Sequence, residues 1–153
     1  MNDLDDINEI KKTDRSGMLD LLVKFPEQCA DAFSIGKDLF VPQSYIGAGY
    51  KNIVFSGLGG SAIGADLLRS YLIDEIKIPV FVSRDYTLPG FVGKDSLFLA
   101  CSYSGETEET LSSYAEAKRM GAKAIVMTSG GKLGILARED KVPVIGIPGG
   151  YPP

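Results

Sequence analysis

Residues 52–64 read Asn-Ile-Val-Phe-Ser-Gly-Leu-Gly-Gly-Ser-Ala-Ile-Gly: a short apolar run, a glycine-rich turn, and the start of a stretch with helical spacing. A run that is apolar on both faces, as over Asn52–Ser56, suits a strand buried between two layers. Helical spacing then continues over Ala62–Leu72. Strand, glycine turn and helix in that order open a parallel α/β unit.

The alternation of apolar runs and helical spacing continues downstream, with no internal repeat of the sequence itself. Four further β-branched or apolar runs follow, at Ile78–Ser83, Ser96–Ser102, Ala122–Thr128 and Val142–Ile147. Helical segments over Thr107–Met120 and Leu133–Glu139 separate the later ones. Arg84–Asp95 is instead rich in Pro and Gly and reads as a loop or short turn. The expected fold is therefore α/β, a three-layer α/β/α sandwich with a five-stranded parallel sheet. The common doubly wound order for five strands is 2-1-3-4-5, the flavodoxin-like arrangement.

Upstream, Met18, Leu21, Leu22, Phe25, Cys29, Ala32 and Phe33 recur mostly at intervals of three or four, a helical stripe over about Asp14–Ser34. Pro26 should split it into two helices, and Gly36 should stop the second. A polar connection follows from Val41 to Gly49. The expected organisation is one domain over residues 1–153, with a helical segment at 1–45 and the α/β core at 46–153.

Bulk properties agree. The chain has 153 residues, 44% of them hydrophobic and 24% charged, which is globular rather than disordered. The formal net charge is −4, from 20 acidic and 16 basic residues, with no basic cluster to bind nucleic acid or a membrane surface. The N-terminal MNDLDDINEIKK is too acidic and polar for a signal peptide, and no apolar run approaches a membrane span. Cys29 and Cys101 lack metal-type spacing, and Cys101 ends an apolar run, which reads as a buried free thiol. A cytoplasmic location is expected. The chain has no histidine, the commonest acid–base group near neutral pH.

In the order 2-1-3-4-5 the first and third strands are neighbours whose connections leave in opposite directions, and ligands bind in the crevice between their carboxyl ends. Both positions carry a polar motif. The first strand runs into Gly57-Leu58-Gly59-Gly60-Ser61-Ala62-Ile63-Gly64, the third into Ser102-Tyr103-Ser104-Gly105-Glu106-Thr107. Exposed N–H groups at each helix start favour an anion, and hydroxyls of Ser61, Ser102, Ser104 and Thr107 add donors. Two readings stand side by side: a phosphate grip, or hydroxyls that merely cap their helices. A third is a dinucleotide site, since Gly57, Gly59 and Ala62 satisfy the loose G-x-G-x-x-G/A pattern and Arg84 ends the second strand, where an NADP site can use an arginine. A P-loop fails, because Gly131-Lys132 is followed by Leu133.

At these loops the sequence resembles the SIS (sugar isomerase) family of phosphosugar-binding domains, and more closely the N-terminal half of the bifunctional phosphoglucose/phosphomannose isomerases. The matching text is GLGGSAIGADLLRSYL, SRDYTLP, CSYSGETEETL and PGGYPP. The resemblance implies a substrate such as fructose, glucose or mannose 6-phosphate, with no cofactor and no metal. It places the phosphosugar contacts on Gly60, Ser61, Ser102, Ser104 and Thr107. It also implies a second domain of the same kind, holding the family's catalytic glutamate, histidine and lysine, with a further arginine contact just past Pro153. No catalytic residue is therefore expected in this chain, and a homodimer is an expected assembly. A non-catalytic phosphosugar sensor and an NADP-binding domain are the competing functions. Glu106, Glu108 and Glu109 are the carboxylates beside the crevice, where their ordinary role is to favour a helix N-terminus. Arg84, Asp85 and Tyr86 are candidates for the rim.

Overall fold

A computed structural model describes residues 5–151, which fall into two compact units divided between Asp38 and Leu39. The first unit holds three helices: α1 (Ile7–Thr13), α2 (Met18–Val23) and α3 (Phe25–Lys37). Asp6 caps α1 by accepting the Asn8 and Glu9 N–H groups. Asp14 does the same for α2, at 2.8 Å from the Met18 nitrogen and 2.7 Å from that of Leu19. These backbone donors, Leu19 first and then Met18, hold the Asp14 carboxyl below the usual carboxylate range. Pro26 stands in the first turn of α3, where its missing N–H costs nothing. The helix continues through Gly36 to Lys37, so Gly36 is not the stop that its residue type suggested. No residue of these three helices is buried.

The second unit opens with a 3₁₀ turn at Gln43–Tyr45 and continues as β1 (Asn52–Ser56), α4 (Gly60–Tyr71), β2 (Val80–Ser83), β3 (Ser96–Cys101), α5 (Glu108–Arg119), β4 (Lys123–Thr128), α6 (Gly131–Glu139) and β5 (Val144–Gly146). The five strands form one parallel sheet in the order β2-β1-β3-β4-β5. The alternation of strand and helix, and the strand order, are those expected.

Strand parity assigns the layers. Val54, Phe98, Ala100, Ala124 and Val126 pack with Tyr114 and Ala117 of α5 and with Leu133 and Ala137 of α6. Phe55 and Cys101 point the other way, onto Ala65 of α4, with Ile53, Val80, Val82, Leu99 and Met127 around them. Helix α4 thus covers one face of the sheet, and α5 with α6 covers the other. The connection at 84–95 has no helix. Its Leu88 and Val92 join the α5 side of the core, and the Leu88 N–H donates to the Glu116 carboxylate at 2.6 Å. Fully burying a side chain such as Phe98 stabilises by about 2–3 kcal/mol. Tyr114 is buried with its hydroxyl satisfied, donating to Asp140 at 2.8 Å.

Candidate functional site

Neighbouring β1 and β3 end together at the crevice, with Ser56 opposite Ala100 in the register. The two connections leave in opposite directions, to α4 on one face and α5 on the other. Gly57 marks how closely they approach. A Cβ there would lie 2.8 Å from the Cys101 carbonyl oxygen and 3.3 Å from the Ser61 backbone. Only a residue without a side chain fits such a seam.

The first loop turns through Gly59 into α4, whose first residues are Gly60 and Ser61. No side chain caps this helix, so Ser61 is not acting as its N-cap. Gly60 is exposed and Ser61 half-buried. The Ser61 N–H is taken by the Leu58 carbonyl and the Ala62 N–H by the Gly59 carbonyl, both at 3.1 Å, so it is the Gly60 amide and the Ser61 hydroxyl that this turn offers to the crevice.

The second loop is more tightly organised. Ser102 is buried and its Oγ lies 2.9 Å from Thr107 Oγ1, while also accepting the Gly105 N–H at 3.1 Å. Exposed Ser104 accepts the Glu106 N–H at 3.2 Å. Thr107 is the N-cap residue of α5 by position, yet makes no side-chain cap bond. The hydroxyls are therefore not spent on capping helices. They bond to one another and within their own turn, beside an uncapped helix start.

Glu106 is placed differently from its expectation. Its Oε1 accepts the Lys132 N–H at 2.7 Å, so it serves the start of α6 and not that of its own following helix. Glu108 and Glu109 do lie in the first turn of α5. Tyr86 reaches this rim, with its hydroxyl donating to Glu108 at 3.3 Å. The negative charge of Glu109, then partial burial and Glu108, raise the Tyr86 phenol above its ordinary value. Asp85 turns back to accept the Tyr86 N–H. Arg84 donates to Asp66 of α4, which occupies the cation that an NADP phosphate would need. A cavity of 430 Å³ at the end of edge strand β2 is lined by Ser83, Arg84, Asp85, Thr87 and Leu88 among others. It includes none of the hydroxyl loops, so volume and donor chemistry point to neighbouring places.

The sequence reading missed a third loop. Residues 129–132, after β4, run against the second loop: the Tyr103 carbonyl accepts both the N–H and the hydroxyl of Ser129, at 3.1 and 2.6 Å. The signal was present in the Gly130-Gly131 pair between a strand and a helix, the same punctuation as after β1. Among the described residues no group of His, Cys, Asp and Glu is placed to hold a metal ion, and no helix is long and apolar enough to cross a membrane. Burial pushes the Cys101 thiol up to about 11.

Residues 48–147 match the family described as the SIS domain. The bifunctional phosphoglucose/phosphomannose isomerase of Caldicellulosiruptor bescii is 48% identical over 136 residues, covering 89% of this chain and 40% of that protein. Its counterpart in Aquifex aeolicus is 45% identical over 105 residues, covering 68% of this chain and 33% of that protein. The chain thus spans well under half the length of these relatives. The crystal structure of tagatose-6-phosphate ketose/aldose isomerase from Escherichia coli is similar in fold, with a TM-score of 0.55 over 83% of this chain and 36% of that one at 14% identity.

Proposed function

This chain belongs to the SIS domain family, and from that premise we propose that it is the phosphosugar-binding domain of a phosphoglucose/phosphomannose-type isomerase, with residues 46–153 as the domain core. The ligand is a hexose 6-phosphate: fructose, glucose or mannose 6-phosphate. The observation that carries this reading is the meeting of two hydroxyl-bearing loops and two uncapped helix starts at the β1/β3 crevice. The backbone N–H of Gly60, with hydroxyls of Ser61, Ser102, Ser104 and Thr107, forms a donor set that suits a phosphate dianion and needs no metal or cofactor.

Aldose–ketose isomerisation moves a proton between C1 and C2 through an enediol, which takes a base, an acid for ring opening and donors for the oxyanion. The chain's share in that reaction is binding and orientation through the remote phosphate. Acid–base work falls to groups outside it. The chain has no histidine, and Glu106 is held by the start of α6. The same reading places the protein in the cytoplasm and in a homodimer. Ile63, Leu67 and Tyr71 form an exposed apolar stripe on α4, 54%, 67% and 77% accessible, which supports self-association.

Calorimetric titration with fructose 6-phosphate and with fructose tests the reading. Binding of the phosphorylated sugar and not of the free one is expected. Equal binding of both, or of neither, would overturn it.

A further inference from the structure

The 102–107 loop is fastened to the start of α6 along a continuous seam. The Gly105 carbonyl accepts the Leu133 N–H at 2.9 Å, and the Tyr103 carbonyl takes Ser129 twice. The backbones are so close that a Cβ at Gly105 would lie 2.0 Å from the Gly130 oxygen, and one at Gly131 would lie 2.2 Å from the Ser104 oxygen. Helix α6 receives no cap from its own N-cap residue, Gly130. The carboxylate that serves its first turn comes from Glu106, 26 residues earlier in the chain, through the 2.7 Å bond to Lys132.

We propose that Glu106 is a positioning residue for the phosphosugar site: its carboxylate pins the 102–107 loop to the first turn of α6 and so fixes Ser104 and Thr107 before a ligand arrives. The inference rests on the phosphosugar reading above. Gly105 holds a φ of +71° in the middle of this loop, and the Ser104 and Thr107 hydroxyls flank it. A loop already ordered in the free protein has no ordering entropy left to lose on binding, which is what preorganisation contributes to affinity. Removing the carboxylate leaves the Lys132 N–H uncapped and the seam held by the Gly105–Leu133 backbone bond and the two bonds from Ser129 to the Tyr103 carbonyl. Glutamine keeps the accepting Oε1; alanine does not.

The test uses the 153-residue chain with Glu106→Ala and Glu106→Gln. Two quantities are read: the dissociation constant for fructose 6-phosphate, and amide hydrogen exchange of residues 103–107 and 132 without ligand. Glu106→Ala is expected to weaken binding about tenfold, the scale of one hydrogen bond to a charged group. It should speed exchange in the loop and at Lys132 while the β1 and β3 amides stay protected. Glu106→Gln should restore both to near the parent protein. An alanine variant with parent affinity and parent exchange overturns the proposal, as does a glutamine variant no better than alanine. If Glu106→Ala does not fold, Glu106→Asp carries the test, because it keeps the charge but falls one methylene short of Lys132. Parent behaviour there overturns the proposal, and faster loop exchange with weaker binding supports it. If the unmodified chain binds no sugar phosphate, the phosphosugar reading fails separately. The exchange comparison still decides whether Glu106 orders the loop.

Discussion

The hydroxyls of Ser102 and Thr107 lie 2.9 Å apart, one just past the end of β3 and the other at the N-cap position of α5. That bond separates the two meanings of a hydroxyl-rich turn. A capping threonine would turn its oxygen onto the amides of its own helix. Thr107 instead faces back to Ser102, and the amides at the head of α5 are left without a side-chain partner.

The first prediction follows from this geometry. Thr107→Ala and Ser104→Ala should each weaken fructose 6-phosphate binding by about tenfold, the scale of losing one hydrogen bond to a charged group. Neither hydroxyl caps a helix, so chemical denaturation should show a stability loss within about 1 kcal/mol of the parent. Titration calorimetry alongside urea melts separates the two effects. Unchanged affinity in both variants would remove the loop from the binding site.

Gly105→Ala is expected to behave in the opposite way. Its φ of +71° disfavours any L side chain, and the added Cβ would overlap the Gly130 carbonyl at 2.0 Å. Backbone has to move on one side of the seam. A loss of about 3 kcal/mol or more in a urea melt is the expected size for a forced backbone clash. A variant as stable as the parent would contradict the seam as described.

Acid stability should depend on Asp140. Its bond to Lys118, and next that from Tyr114, hold the carboxyl below its ordinary 3.8. The folded pKa is thus lower than the unfolded one, so the contribution is complete above about pH 4 and is lost as the pH falls through the folded value. Asp140→Asn should therefore lower the melting temperature at pH 6 and narrow its gap to the parent towards pH 2. A gap that stays constant from pH 6 to pH 2 would contradict the pairing.

The two thiols should separate cleanly. Cys29 is exposed, whereas Cys101 is buried with its thiol pushed up to about 11, which leaves almost no thiolate near neutral pH. A disulfide reagent at pH 7.5 should titrate one thiol promptly and the second only on denaturation. Prompt reaction of Cys101 would mean that the α4 face of the sheet opens easily.

Much of this architecture could be read from residue order because its signals are local. Asn52–Ser56 was bounded correctly, since a run apolar on both faces ends abruptly at Gly57. The bodies of the core helices also follow from spacing. The ends were harder where the deciding partner is remote. Helix α6 starts at Gly131, two residues before its periodic pattern, because its cap comes from Glu106 on another loop. The last strand is shorter than the apolar run that announced it. Pro143 has no N–H for the ladder, although its carbonyl still accepts from Val126. Helix α1 rests on the Asp6 cap more than on an apolar stripe, and so gave no periodic signal. At the site, residue type identified the hydroxyls, but only their placement showed that they bond across the turn instead of capping. The Gly105–Gly131 interlock lies between segments about 26 residues apart, beyond the reach of any local pattern.

The most direct test of the central claim is thermal unfolding of the chain with fructose 6-phosphate, with inorganic phosphate and with NADP. A ligand at 100 times its dissociation constant adds about 2.7 kcal/mol, readily seen as a rise in melting temperature. The account predicts a rise with fructose 6-phosphate that exceeds the rise with phosphate, and none with NADP. A rise with NADP alone, or no rise with any of the three, would contradict it.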